Sequence, residues 1–329
     1  MTNINLSRAK TLKNDEFYTL EESIESELSY YTNALRGKAI LCNCNDSEDS
    51  AFWKYLSANF HHLYLKKLTC IKYGKDAYKL EMTEKDGFVK SDLQSDGDFR
   101  SAECLEILKS ADIVITNPPF SLFRVFLSLL YQHEKQFLVV GNMNMVVCDD
   151  IFPIFKDGNL TFGHTAVKSF SAPDGSLCNF GNVYWYTNIP IEKHTELTEL
   201  REHYSPERYP VYDNYPAIEV GKVSNIPCDY NGLMGVPITY LLKHDPERFE
   251  IIGIANGNDE LSKTYINPIQ YRWDGKIMCG SKVNDSAAML SKEKPQCTYY
   301  KADNADGYLI CKYKRILIRK IRNRKELES

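Results

Sequence analysis

The chain has 329 residues, 43% of them hydrophobic and 26% charged, which supports a buried core and excludes wholesale disorder. A length of this order suits two domains, or one large α/β domain with an appendage. The 40 Lys and Arg against 44 Asp and Glu leave a net charge of −4, which excludes a uniformly basic nucleic-acid binder but not a local basic patch.

Residues 1–14 are polar and read as loose, without the apolar run of a secretory leader. No stretch approaches the ~18 apolar residues of a membrane span. The ten cysteines are scattered; the closest pair, Cys42 and Cys44, is C-x-C, and C-x-x-C is absent. Neither a zinc cluster nor a disulfide framework follows, so the thiols are expected to be reduced and structural in a cytoplasmic protein, with no metal.

Thr19 precedes a predicted helix over 20–35, with Ile24, Leu28, Tyr31 and Leu35 at helical spacing and Gly37 as its stop. The segment 38–43 reads as a buried strand, and 47–59 as a helix with Ser47 as N-cap and Phe52, Tyr55 and Leu56 inward. A second strand is expected over 68–73 and a hairpin turn at Asp86-Gly87. Ser101 caps a helix to 109, followed by a strand over 111–116, a helix over 121–134 and a strand over 136–141. Alternation of apolar strands with helices predicts a parallel sheet wrapped by helices, with ligands at the carboxyl ends of its strands. Aromatic β-like segments at 160–163 and 182–187 suggest antiparallel strands finishing the sheet, before proline-rich loops over 190–245 and short strands beyond. A domain boundary is expected between 190 and 235, drawn at 200/201.

The chemically informative segment is Asn117-Pro118-Pro119-Phe120, directly after the strand ending at Thr116. Asn-Pro-Pro alone is also a common turn. At the end of a buried strand it becomes a stiff corner, because the two prolines fix φ and carry no N–H. The Asn117 side-chain oxygen and the Pro118 carbonyl then offer two acceptors to one exocyclic amino group, which pulls the nitrogen lone pair out of ring conjugation. Phe120 offers a face for a planar base.

This corner resembles the catalytic motif of S-adenosylmethionine-dependent amino-methyltransferases. More closely, the chain resembles the EcoRI-type adenine-specific DNA methyltransferases. The segments carrying the likeness are Lys13 to Thr19, Leu41 to Asp46, Gly97 to Ser101, Ala111 to Ser121, Tyr212 to Val220 and Gly232 to Thr239, in the family's order. The resemblance implies a Rossmann-like methyltransferase fold, α/β with a mostly parallel seven-stranded sheet, over residues 1–200. A target-recognition region would occupy 201–329. It implies N6 methylation of an adenine flipped out of duplex DNA, and, in a restriction–modification system, a cognate endonuclease acting on the same site. Asn117, Pro118, Pro119 and Phe120 take the catalytic positions. Phe17, Tyr18 and Thr19 correspond to the segment lining the cofactor's methionine end; an N-cap role for Thr19 is the alternative.

Where most methyltransferases carry a Gly-rich turn, this chain has Asn43, Asn45 and Asp46, which are assigned to the cofactor with Asn117. The acid usual at the end of the second strand is missing, since Ile, Lys and Tyr occupy 71–73. Asp98 is instead matched to the cofactor's adenine amino group and Phe99 to its ring, against the alternative of an Asp in a surface turn.

Residues 301–329 hold nine Lys/Arg against four acids, and within them Leu309 to Ile321 alternate partly with apolar residues. That pattern suits a strand with cations on one side, so Lys314, Arg315, Arg319, Lys320, Arg322 and Arg324 are expected to contact DNA phosphates; a solvated edge strand is the alternative. Tyr212 and Asn214 are expected at the mouth of the active site, with a buried Tyr-rich turn as the alternative. Arg272 and Trp273, just before the Asp274-Gly275 turn, are further candidate contacts, with a strand end whose Trp packs on the core as the alternative. Two other functions stay open: an RNA or protein-amide methyltransferase on the same fold, and a catalytically inactive DNA-binding relative.

Overall fold

The computed structural model describes residues 17–172, 174–190, 199–257, 260–280 and 282–321. The chain divides into two compact units, residues 1–193 and 194–329.

The first unit opens with β1 (Tyr18–Thr19) and runs straight into α1 (Glu21–Leu28), whose first turn carries Glu21 and Glu22 where the helix dipole favours acids. The predicted helix breaks before a single further turn, α2 (Thr32–Leu35). At the break Ser29 Oγ donates to the Ser26 carbonyl and Thr32 Oγ1 to the Ser29 carbonyl, bonds that compete with the helical ladder. Ile24, Leu28, Tyr31 and Leu35 are nonetheless all buried.

Next come β2 (Ala39–Cys42), α3 (Ala51–Ala58), β3 (Lys67–Lys72), β4 (Tyr78–Thr83) and β5 (Gly87–Asp92). They lead to α4 (Ala102–Ser110), β6 (Ile113–Thr116), α5 (Phe123–Gln132) and β7 (Gln136–Asn142). The unit closes with α6 (Phe152–Lys156), β8 (Thr161–Ala166), β9 (Ser169–Ser171), β10 (Leu177–Asn179) and β11 (Val183–Thr187). Ser101 caps α4 as predicted, accepting from the Cys104 N–H at 3.2 Å. The helix predicted from Ser47 starts three residues later, where Ser50 accepts from the Trp53 N–H at 3.1 Å.

Among the described residues the main sheet has eight strands in the order β5-β4-β3-β2-β6-β7-β11-β8, where the family resemblance implies seven. It is mixed: β3, β2, β6 and β7 are parallel neighbours, whereas β4, β5, β11 and β8 pair antiparallel. The parallel strands are those joined through α3, α4 and α5, because a parallel crossover needs a long connection; β3-β4-β5 follow short turns and return antiparallel. β2 and β6 are buried at every position, the signature of central strands covered on both faces. Close packing of α5 on the sheet requires Gly141, where a Cβ would stand 2.4 Å from the Phe123 ring. The wholly buried Glu27 carboxylate ties α1 to β8, accepting from the N–H groups of His164 (2.8 Å) and Thr165 (2.7 Å), from the Thr165 hydroxyl and from the Tyr31 hydroxyl. A small sheet of order β1-β9-β10 completes the unit.

The second unit contains β12 (Ala217–Glu219), β13 (Leu233–Pro237), β14 (Phe249–Ile254), β15 (Ile269–Tyr271) and β16 (Ile277–Met278). It ends with β17 (Ala288–Ser291), β18 (Tyr299–Lys301), β19 (Tyr308–Cys311) and β20 (Arg315–Lys320). These form two sheets, of order β12-β13-β20-β14 and β16-β15-β18-β19-β17. The basic segment over 309–321 is therefore not one cation-lined edge strand. β19 and β20 belong to different sheets, and β20 lies inside its sheet with Ile316, Leu317 and Ile318 all buried. Among the described residues no helix is long and apolar enough to cross a membrane.

Candidate active site

From β2 the chain moves outward to β3, and from β6 it moves the other way to β7, so the strand order reverses between β2 and β6. At such a point the loops leaving the two strands diverge and open a crevice. Here the crevice is a cavity of about 510 Å³, lined by residues 44–47 after β2 and by Asn117 to Phe120 after β6. Phe17, Tyr18, Thr19, Leu20 and Glu21 form a further wall, and the first turn of α3 lines it with Ser50, Ala51 and Phe52. That volume falls within the ordinary range for a small-molecule site.

The turn after β2 contains no glycine, yet Asn45 adopts φ +62°. Asn tolerates this left-handed conformation better than most residues, so it takes the place a glycine would fill. The following residue is pinned by the Asp46 N–H donating to the Ile71 carbonyl at 2.8 Å. The buried Asp46 carboxylate accepts from the Thr116 hydroxyl (2.8 Å) and the Cys44 N–H (3.1 Å), tying the first loop to the end of β6 just before Asn117.

Burial pushes the Asp46 carboxyl up to about 7, against the lowering effect of the hydrogen bonds from Thr116 and Cys44. A carboxyl raised on folding adds stability fully below its unfolded pKa of about 3.9, and this is lost as the pH rises through the folded value. Asp46→Asn keeps an acceptor for Thr116. It is expected to raise Tm at about pH 8 and to flatten the decline in Tm above about pH 5. Thermal melts across pH with an unchanged slope would assign that decline to other groups.

At the second loop, Asn117 Nδ2 donates to the Phe17 carbonyl at 2.6 Å. A carbonyl only accepts, so this bond fixes the amide and turns Oδ1 the other way. Asn117 Oδ1 is buried and without a partner, as is Thr19 Oγ1. Buried polar atoms are almost always satisfied, so two bare ones on the lining of one cavity mark where a ligand's donors belong. Thr19 does not cap the helix: it lies in β1, and the N-cap residue is Leu20. Phe120 is half-buried in a cluster with Phe17 (6.3 Å, stacked), Phe170 and Phe180.

The other residues singled out from sequence are placed differently. Asn43 is buried beneath the loop and does not line the cavity. Gly97, at φ +75°, packs so tightly on the end of β3 that a Cβ would approach the Lys72 carbonyl to 2.7 Å. Asp98 is paired with Arg100 at 2.5 Å, outside the lining. Phe99 corrects its expectation, since its ring is 5% exposed and engaged edge-on with Phe126. Glu21, Asp49, Lys54 and Ser171 also line the cavity. None of these four was a site residue expected from sequence.

In the second unit, Tyr212, Asn214 and Arg315 correct their expectations as DNA contacts. Asn214 is 2% exposed; its Nδ2 donates to the Ser286 carbonyl and its Oδ1 accepts from the Ala288 N–H. Arg315 makes a bidentate pair with Glu219, at 3.1 and 2.7 Å, and the Tyr212 hydroxyl donates to the same carboxylate. Lys314 is half-buried, Arg319 is exposed, and Lys320 Nζ donates to the Cys228 carbonyl. Arg322 and Arg324 lie outside the described residues.

A cavity at the reversal point of a mixed sheet is thus bordered by a proline-locked corner with a bare acceptor. The family model for the adenine-specific methyltransferase EcoRI matches residues 5–321, and the chain belongs to that family. The Type II methyltransferase M.EcoRI of Escherichia coli is 38% identical, covering 79% of this chain and 91% of its own length. The Type II methyltransferase M.MpnI of Mycoplasma pneumoniae is 40% identical, covering 75% and 84%. M.MgeORF184P of Mycoplasma genitalium, also a Type II methyltransferase, is 39% identical over the same shares. No solved structure matches the chain.

Proposed function

We propose that this adenine-specific methyltransferase acts on N6 of an adenine flipped out of duplex DNA, with S-adenosylmethionine as donor. The observation that carries the reading is the bare, buried Oδ1 of Asn117, a cavity-lining residue whose amide is fixed by the bond from Nδ2 to the Phe17 carbonyl. When bound, S-adenosylmethionine supplies a methyl group on a positively charged sulfur. Asn117 Oδ1 and the Pro118 carbonyl accept from the two hydrogens of the target amino group, leaving its lone pair free to attack. Pro119 stiffens the corner, and Phe120 stacks on the extruded base.

The donor set fits the cofactor. Thr19 Oγ1 is a second bare atom on the lining, which Asn45 and Asp46 share. The first turn of α3 presents N–H groups suited to the cofactor's carboxylate. Asp98, following Gly97 where it packs on the end of β3, is assigned to the adenine amino group. The first unit is then the catalytic domain of a Rossmann-like methyltransferase fold, and the second, 194–329, the target-recognition region. The type II relatives support a modification enzyme acting beside an endonuclease of the same specificity, in the cytoplasm.

Incubation with methyl-labelled S-adenosylmethionine and separate unmethylated DNA, RNA and protein fractions tests this. Label is expected in DNA, as N6-methyladenine. Label in RNA or protein alone would reject DNA as substrate, and calorimetry showing no cofactor binding with or without DNA would identify an inactive relative.

A further inference from the structure

One face of the five-stranded sheet in the second unit carries half-buried aromatic rings and exposed lysines. In the five-stranded sheet, Tyr300, Leu309 and Ala288 point into a buried cluster. Their neighbours along each strand point to the opposite face. There Tyr299, itself 4% exposed, is covered by two half-buried rings, Tyr271 stacked on it at 5.3 Å and 11° and Tyr308 edge-on at 5.2 Å, so the outer layer is Tyr271, Tyr308 and the lysines around them. Lys294 Nζ stands 5.9 Å from the Tyr299 ring and Lys301 Nζ 4.9 Å from the Tyr308 ring. Ile277, opposite Tyr271 in register, is 70% exposed.

At the sheet's edge β15 and β16 form a hairpin closed by the Arg272 N–H donating to the Lys276 carbonyl at 2.8 Å. Every residue from 272 to 280 is exposed. Trp273, at the tip, is 62% exposed, whereas Trp53 and Trp185 are buried. Residues 269–301 contain six Lys/Arg and three acids in a chain of net charge −4. Asp274 is already paired with Arg272, while Lys276, Lys282, Lys294 and Lys301 have no ion pair among the described residues.

We propose that this hairpin and sheet face form a DNA-contacting surface of the enzyme, resting on the reading of duplex DNA as its substrate. A two-stranded ribbon fits the major groove. The unpaired lysines would meet phosphates, and Trp273 would pack against base edges or a base step. Excess positive charge interleaved with aromatic rings favours a polyanion with planar bases over an apolar protein partner.

The test uses the full-length enzyme, a short fluorescein-labelled duplex and three readouts. Trp273→Ala is expected to weaken duplex binding about five- to a hundred-fold. The triple variant Lys276→Gln, Lys294→Gln, Lys301→Gln is expected to flatten the slope of log affinity against log salt by about 0.9 for each phosphate that is no longer neutralised. In the wild type, duplex is expected to protect the tryptophan most accessible to acrylamide, and Trp273→Phe to abolish that protected signal; each replaces or trims an exposed side chain, so folding is retained. Wild-type affinity, salt slope and quenching in all the variants would overturn the proposal while leaving DNA as substrate intact. Loss of a dimer in Trp273→Ala with full duplex affinity would reassign the hairpin to self-association. A wild-type enzyme that neither binds nor labels DNA would overturn the substrate reading and this one together.

Discussion

Asn117→Ala is expected to lower methyl transfer at least about a hundred- to a thousand-fold, the loss typical when one preorganised hydrogen-bonding group is removed from a reacting centre. Affinity for S-adenosylmethionine should change little, because the alanine leaves Thr19, Asp46 and the first turn of α3 in place. Asn117→Asp makes the point sharper. It keeps an acceptor but replaces the amide N–H that donates to the Phe17 carbonyl with a second oxygen, so the corner should lose its fixed orientation and activity should still fall. Single-turnover rates and calorimetry on both variants measure this. Near-normal turnover in Asn117→Ala would remove Asn117 from its role as the acceptor.

The path from sequence to this site is short where a residue's task is local and long where it depends on distant partners. Ala39–Cys42 and Ile113–Thr116 read correctly as central strands because unbroken apolar runs need cover on both faces. The stiffness of Asn117-Pro118-Pro119 is written in proline's own covalent geometry. The start of α3 is hard to place because Ser47 and Ser50 are equally good caps on composition. What separates them is a turn over 47–50, in which the Ser50 N–H donates to the Ser47 carbonyl at 3.0 Å and the Asp49 N–H to the Ser47 hydroxyl, so Ser47 is used before the helix begins. Phe99 misleads for a different reason. A phenylalanine beside a glycine turn can stack on a ligand or on a core, and only the position of Phe126 decides. The bare oxygens of Thr19 and Asn117 have no sequence signal, since being without a partner is a property of the folded surroundings.

Arg315 is the position where sequence and structure predict opposite experiments. As a phosphate contact on an exposed strand, its loss would weaken DNA binding, lower the salt slope by about 0.9 and leave the fold alone. In the structure, its guanidinium and the Glu219 carboxylate are only 12% and 11% exposed, and the Tyr212 hydroxyl completes the cluster. Burial and the carboxylate alongside push the Tyr212 phenol well up, so it stays a neutral donor to Glu219. Arg315→Gln would leave that carboxylate desolvated with one neutral partner, and breaking such a pair from one side costs about 3–5 kcal/mol. The expected result is a fall in Tm with an unchanged salt slope for whatever fraction remains folded. The double variant Glu219→Gln, Arg315→Met removes both charges and should recover much of the loss, because an uncharged pair carries no desolvation penalty. A single variant as stable as the wild type, with a flatter salt slope, would return Arg315 to the DNA surface.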